Sequence, residues 1–577
     1  MQLFLILESF VVIFIANQEL MKKLSLLFTL LLINSLSAQV QLGGDIDGEA
    51  AYDQSGGAIS LSSNGTIVAI GTSGNDGNGP AAGHVRIYEY CASSWTQLGA
   101  DIDGESSFNA SGESVSLSSD GTTVAIGAIF NNGNGQHSGH VRIYEYSSGS
   151  WMQLGADIDG EAAMDYSGTS VSLSSDGTRV AIGAPFNAGN DTVGSNLGHV
   201  RIYEYSSGSW TQLGADIDGE AMGDCSGVSV SLSSNGTTVA IGAPYNDGNG
   251  QQSGHVRIYE YSSGSWTQVG GDIDGEAPGD LSGMSVSLSS DGTTVAIGAF
   301  LNDGNDTLNS DRGHVRVYEY VNGSWTQLGG DIDGEAAGDW SGRSVSLSSN
   351  GTRAAIGAER NDGNGSDSSI GHVRIYEYSS GSWTQLGADI DGEAASDESG
   401  YRVFLSADGN TAAIGAKQND GNDTIVNSNR GHVRVYSLPN VCDVYDTTFI
   451  DVFDTIPVYD TIQVFDSIAV FDTNYVDVYD TTYINVYDTV LVTQIDTLYL
   501  TVTDTLIIDV SLIGINPPTF EYQLRVYPNP TNSYLYVEVP QNMIGQSYSM
   551  EVKNSIGQSM FGVGLNQPLV QINFNSF

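Results

Sequence analysis

The sequence predicts an all-β protein whose main body is a seven-bladed β-propeller with four-stranded blades. Three observations lead there. "GHVR" occurs seven times, beginning at Gly83, Gly139, Gly198, Gly254, Gly313, Gly371 and Gly431, at spacings of 56 to 60 residues. "DIDGE" also occurs seven times. Each repeat holds four strand-like runs separated by Gly-, Asn- and Ser-rich turns, with no helical periodicity, which is the pattern of propeller blades.

The unit around Asp216 shows each element in turn. Its strands are "VSVSLSS", "TTVAIGA", "HVRIYEY" and "SWTQVGG", and its joints are "NGT", the Gly-rich "YNDGNGQQSG", "SSGS" and the "DIDGEAMGDCSG" connection. Strand alternation sends successive side chains to opposite faces. On this reading Val230, Leu232, Val239, Ile241, Val256 and Ile258 share one face. Ser229, Ser231, Ala240 and Gly242 lie on the other, with His255, Arg257, Tyr259 and Tyr261. A large face against a small one lets blades interdigitate near the axis. The array opens with "QVQLGGDIDGE", a fourth strand without its first three. It ends with "GHVRVYSLPN", a third strand without its fourth. Pairing the two closes the ring and removes exposed edges.

The 577 residues carry 68 Asp plus Glu against 19 Lys plus Arg, a formal net charge of −49. Such a surface repels nucleic acid and anionic lipid, disfavouring both as partners, and suits the capture of cations. Residues 1–20 read as an extension upstream of the true start. Their apolar run of about 15 residues is short for a membrane span, so no stable span is expected. Residues 21–38, "MKKLSLLFTLLLINSLSA", read as a secretory signal peptide, with Lys22 and Lys23 before the apolar core and Ala38 before a cut at Gln39. The three cysteines form no metal spacing and no disulfide framework. Cys91 and Cys442 would follow equivalent strands of adjacent blades, the one pair placed for a bridge.

"DIDGE" sets carboxylates at alternate positions: Asp45, Asp47 and Glu49; Asp101, Asp103 and Glu105; Asp157, Asp159 and Glu161; Asp216, Asp218 and Glu220; Asp272, Asp274 and Glu276; Asp331, Asp333 and Glu335; Asp389, Asp391 and Glu393. Calcium loops begin with that spacing, so these are the candidate metal ligands and calcium the candidate cofactor. The competing reading is a tight connection in which Asp caps backbone N–H groups and a glycine such as Gly219 supplies a positive φ. The regular Arg of "GHVR" is expected to pair an acidic group within or between blades. Its companion His lies one per blade and reads as structural. Trp95, Trp151, Trp210, Trp266, Trp325 and Trp383 are either sugar platforms or packing signatures. The loops after "AIGA" vary most between repeats, and a ligand face is expected there. No Ser-His-Asp constellation, close carboxylate pair or phosphate loop stands at non-repeated positions, so the sequence points away from an enzyme.

The run "SGVSVSLSSNGTTVAIGAPYNDGNG…GHVRIYEY" resembles the FG-GAP repeat family of integrin-α-type propellers, over residues 39–439. The family's leading Phe-Gly is Ser-Gly here, as at Ser226 and Gly227, and "GAP" survives only at Gly183 to Pro185 and Gly242 to Pro244. The family's calcium loop is replaced by a short "SSNGT" turn, so that site does not carry over.

Residues 440–516 form an Asp-Thr-rich spacer that reads as an extended acidic stalk. Its units resemble the Asp-Ser/Thr-aliphatic O-glycosylation motif of bacteria with type IX secretion, implying acceptors at Thr447, Thr455, Thr461, Ser467, Thr481, Thr489, Thr497 and Thr505. Residues 517–577, with "YPNPTN" and "SIGQ", resemble the type A sorting domain of that system. The resemblance implies a small β-sandwich recognised by the type IX machinery. The chain stops at "INFNSF", where such domains have a further strand, and so reads as truncated.

Together these features predict a protein secreted from, or held on the outer surface of, a Gram-negative bacterium. It would bind an extracellular polysaccharide or surface protein without catalysis. The rivals are a propeller hydrolase or lyase acting on glycans, favoured by unlike, non-repeated acids around the central channel, and a purely structural surface component.

Overall fold

The structure is a computed structural model that describes residues 39–189, 195–304, 310–363, 369–421 and 428–439. It also describes the backbone of seven strands between residues 498 and 573. All regular elements among them are strands, and no helix there is long and apolar enough to cross a membrane. The signal segment, Cys442, most of the spacer, its eight acceptor hydroxyls, and residues 528–532 and 555–558 of the sorting-domain motifs lie outside the described residues.

Seven antiparallel sheets follow one another along the chain. In the fourth blade the inner strand is Ser229–Leu232, the second Thr238–Ala243, the third His255–Ser262 and the outer Ser265–Gln268. "DIDGE" contributes a fifth element. Ile273–Asp274 pairs with Val256 and His255 at the start of the third strand, while Ser265–Gln268 pairs with its far end. "DIDGE" is therefore the second half of a broken outer strand as well as the exit to the next blade.

The register corrects the expected faces. Val256 pairs with Gly242 and Ile258 with Ala240, whereas Arg257 pairs with Ile241 and Tyr259 with Val239. Paired residues share a face, so Val256 and Ile258 stand with the small residues, and His255, Arg257 and the tyrosines stand with the bulky ones. One face is thus bulky from the axis outward, and the other is small near the axis and larger farther out. Adjacent blades interlock accordingly. Ala181, Val200, Ile202 and Ile217 of the third blade pack on Val230, Leu232, Val239 and Ile241 of the fourth.

The ring closes as the chain ends suggest. Val40 and Gln41 pair with Ser437 and Tyr436, and Ile46 and Asp47 with Val433 and His432, completing the seventh blade. Ile46, Ile59, Leu61, Val433 and Val435 share one core across the closure. At one end of the axis, backbone N–H groups donate around a complete circuit. Ser63 bonds to Ser119, then Ser175, Ser234, Ser290, Ser349 and Ala407, which returns to Ser63, each step 2.8–2.9 Å. Inner strands are also stitched by hydroxyls, as where Ser172 Oγ accepts from the Leu232 N–H at 2.9 Å. In the seventh blade Phe404 replaces that serine. Inside the ring is a channel cavity of about 320 Å³, lined by inner-strand residues that include the charged Glu113, Arg343 and Arg402.

The glycine of "DIDGE" serves a purpose other than the one expected. Gly219 does not occupy the left-handed region. A Cβ there would strike the carbonyl oxygen of Leu197, so glycine is needed for close backbone approach.

Residues 448–577 form a separate unit. Leu498–Val502, Leu506–Val510, Ser549–Asn554 and Ser559–Gly564 make one sheet, and Arg525–Tyr527, Tyr534–Glu538 and Leu569–Asn573 another.

Two outcomes are expected. Deleting residues 39–47 leaves the third strand of the last blade as a bare edge, so size-exclusion chromatography should show self-association in place of a monomer. In urea unfolding, Gly219→Ala should cost about 3 kcal/mol, the scale of overpacking. Gly223→Ala, at φ +91° but in open space, should cost only about 1–2 kcal/mol.

Candidate functional site

The three carboxylates of one "DIDGE" do not converge on a common point. They are distributed across a blade junction. At the junction of the second and third blades, Glu161 comes from the outgoing connection, while His199 and Asp216 both belong to the third blade. His199 Nδ1 lies 3.8 Å from Glu161 Oε2 and 4.0 Å from Asp216 Oδ2. Gln212 donates to Asp216 Oδ1 at 2.6 Å, and Arg201 Nη1 stands 3.5 Å from Glu161 Oε1. The preceding junction repeats this with His140 3.9 Å from Glu105 and 3.7 Å from Asp157. Sequence reasoning separated the histidines from the acids because they lie in different parts of the repeat.

His199 is only 1% exposed. Burial, then the adjacent Arg201, lowers its pKa to about 4, with Asp216 opposing. His140, His314 and His432 are likewise lowered to about 4, and His84, His255 and His372 are lowered too, burial being the largest cause in every case. These imidazoles are neutral at pH 7.

At six of the seven junctions the second Asp of "DIDGE" offers its backbone carbonyl to the repeated arginine. Arg257 Nη2 donates to the Asp218 carbonyl at 2.7 Å, and Arg86, Arg142, Arg201, Arg316 and Arg434 make the same inter-blade bond. The repeated arginine thus clamps a carbonyl of the preceding connection, with the Glu carboxylate farther off. Arg374 departs, donating instead to Asp389 at 2.9 Å. The tryptophans are also inter-blade ties. Trp210 Nε1 donates to the Leu154 carbonyl at 2.7 Å, and its ring stands 5.1 Å from Tyr205.

A further repeated acid escaped sequence reasoning. Asp224, 3% exposed, accepts from Ala221 N–H at 2.9 Å and Asn246 Nδ2 at 3.0 Å, fixing the turn after "DIDGE" against the loop after "AIGA". The available signal was an Asp two residues before "SG" in six of the seven repeats, with Asn109 in its place in the second, matched by an Asn in every loop after the second strand.

Two groups break the sevenfold pattern, both built from residues after "AIGA" and around "SG". Between the second and third blades, Phe130, His137, Tyr166 and Phe186 form a chain of rings 5.1–5.8 Å apart, with Phe186 exposed. Across the sixth and seventh blades, Arg343, Glu359, Glu398, Tyr401, Arg402 and Lys417 gather beside the channel. Lys417 is the sole lysine between residues 39 and 439. It lies 3.3 Å from the Tyr401 ring centre and 3.8 Å from Glu398. Arg343 stands over Tyr401 at 5.4 Å and 3.6 Å from Glu359. Nearby, Arg360 covers Trp340 at 3.4 Å. Burial pushes Tyr401 up, but Arg402, Lys417 and Arg343 outweigh it and hold the phenol below its usual range. Burial holds the Glu359 carboxyl above its own range, with Arg343 opposing. Its Oε2 has no hydrogen-bond partner.

Cys225 is buried and free, and Cys91 exposed and free. Burial, with Asp224 adding, pushes the Cys225 thiol up to about 11, so it is a poor nucleophile.

The described architecture defines the class: a seven-bladed β-propeller built from near-identical blades. No family model matches the chain, and no curated protein matches it. Among solved structures, it is similar to a 6-phosphogluconolactonase-like protein of Bacteroides uniformis, with a TM-score of 0.41 and 13% identity over 59% of this chain and 86% of that one.

The buried imidazoles set a pH dependence. His140, His199, His314 and His432 bind protons near pH 6.5 in the unfolded chain and near 4 in the folded one, so between these values the unfolded state holds more protons. Stability is then complete above 6.5 and lost as pH falls toward 4. In chelator, the thermal midpoint should drop by roughly 10 °C or more between pH 7 and 4.5. A flat profile would contradict neutral buried histidines.

Proposed function

We propose that this protein is a non-catalytic binding or adhesion protein, secreted or held at the surface of a Gram-negative bacterium, whose ligand is an extracellular polysaccharide. The supporting observation is the ring chain Phe130, His137, Tyr166 and Phe186. It stands on the variable loops, while the repeated tryptophans are committed to inter-blade bonds. Aromatic faces stack on the apolar faces of sugars, and non-repeated aromatics are what a ring of equal blades would add to recognise something. The signal-like residues 21–38 and the sorting-domain resemblance of residues 517–577 support export through the type IX machinery. The Asp-Thr units support glycosylation of the spacer.

A second reading, a glycan hydrolase or lyase, draws on the cluster around Tyr401. A carboxyl held high and a phenol held low in one place is the displacement that acid–base chemistry requires.

Glycan-array binding by the propeller, in calcium and in EDTA, tests the first reading. Tyr166→Ala with Phe186→Ala should weaken binding at least tenfold and leave the unfolding midpoint within a few degrees. Chain cleavage of a bound glycan that is lost in Tyr401→Phe would establish the second reading instead.

A further inference from the structure

A buried imidazole that makes no hydrogen bond loses its hydration and gains nothing in return. This chain carries that arrangement repeatedly. Nε2 of His84, His140, His199, His255 and His314 is buried without a partner. On the other side of each ring, Nδ1 faces carboxylate oxygens at 3.7–4.0 Å, beyond hydrogen-bond range.

The geometry of that gap is specific. At the junction of the second and third blades, His199 Nδ1, Glu161 Oε2 and Asp216 Oδ2 all lie within 4.8 Å of one another. A point equidistant from corners set 3.8–4.8 Å apart lies roughly 2.2–2.5 Å from each, close to Zn–N and Zn–O bond lengths of about 2.0–2.2 Å. The other oxygen of each carboxylate is already engaged. Gln212 holds Asp216 Oδ1, and Arg201 flanks Glu161 Oε1. One oxygen of each acid is left turned to the imidazole.

We propose that the blade junctions are metal sites for a first-row transition dication such as Zn2+. At the junction described, the ligands are His199, Asp216 and the preceding blade's Glu161, with water completing the shell. An imidazole among the ligands selects Zn2+ over calcium, which takes six to eight oxygens. The sixth blade is the exception, because Arg374 lies between Glu335 and Asp389 and fills the gap with its guanidinium. At the last junction His432 gathers with Asp45 and Asp47 of the N-terminal segment, with Glu393 3.8 Å from the imidazole, so a metal there ties the ring closure. Six junctions are open.

The test uses the full chain, stripped with chelator and dialysed against Zn2+ in excess Ca2+ and Mg2+ at physiological salt. The expected result is about six Zn2+ per chain by elemental analysis, a rise in thermal midpoint, and one imidazole nitrogen in the zinc X-ray absorption spectrum. The triple variant His140→Ala, His199→Ala, His255→Ala should lose three ions, while Glu145→Gln, at an exposed carboxylate, should lose none. Should the triple variant not fold, Glu161→Gln should lose one. Fewer than four ions, displacement by Ca2+, or an all-oxygen shell on the wild-type protein would overturn the proposal.

Discussion

The structure depends on a closed circuit of seven backbone hydrogen bonds. Ser63, Ser119, Ser175, Ser234, Ser290, Ser349 and Ala407 each donate to the next blade, and the last donates to the first. A circuit of this kind admits no partial version. Seven wedges must subtend a full turn, so every blade must have nearly the same width at every radius. That requirement accounts for the near-identity of the repeats. A blade of different thickness would open the circuit for all of them.

The constraint propagates outward through the junctions. Near the axis, Val230 and Leu232 fit against the small inner face of the preceding blade, while farther out Val200 and Ile202 of that blade fill the widening gap. Beyond them, Arg257 holds the Asp218 carbonyl and Trp266 holds the Leu213 carbonyl. Backbone approach is so close at Gly219 that no side chain fits. Most residues that look like a site in the sequence are consumed by this joinery. The exception is the His–Asp–Glu set, where a buried imidazole faces two exposed carboxylates beyond hydrogen-bond range.

Recognition is then expected where equality is not enforced. Residues after "AIGA" and around "SG" lie outside the wedge contacts, so unlike side chains are tolerated there. The aromatic chain of the second and third blades and the cationic group around Tyr401 both use these positions. In a chain of net charge −49, the convergence of Arg343, Arg402 and Lys417 on one tyrosine is a local reversal of sign. It rests on cation–π contacts and on two carboxylates, one of which, Glu359, is buried.

The number of blades, their strand order and the closure by the N-terminal segment were legible in the sequence alone. They follow from local alternation, turn residues and the need to cover strand edges, all of which act over a few residues. The facing of the third strand was not legible, because the pairing register that puts Val256 beside Gly242 rather than Ile241 is set across the loop of residues 244–254. Nor was the junction site. Glu161 and Asp216 lie 55 positions apart in the sequence, and only the stacking of one blade on the next brings both to His199. The Tyr401 group likewise draws on two repeats. Local physics determined the blade; the closed ring decided which residues meet between blades.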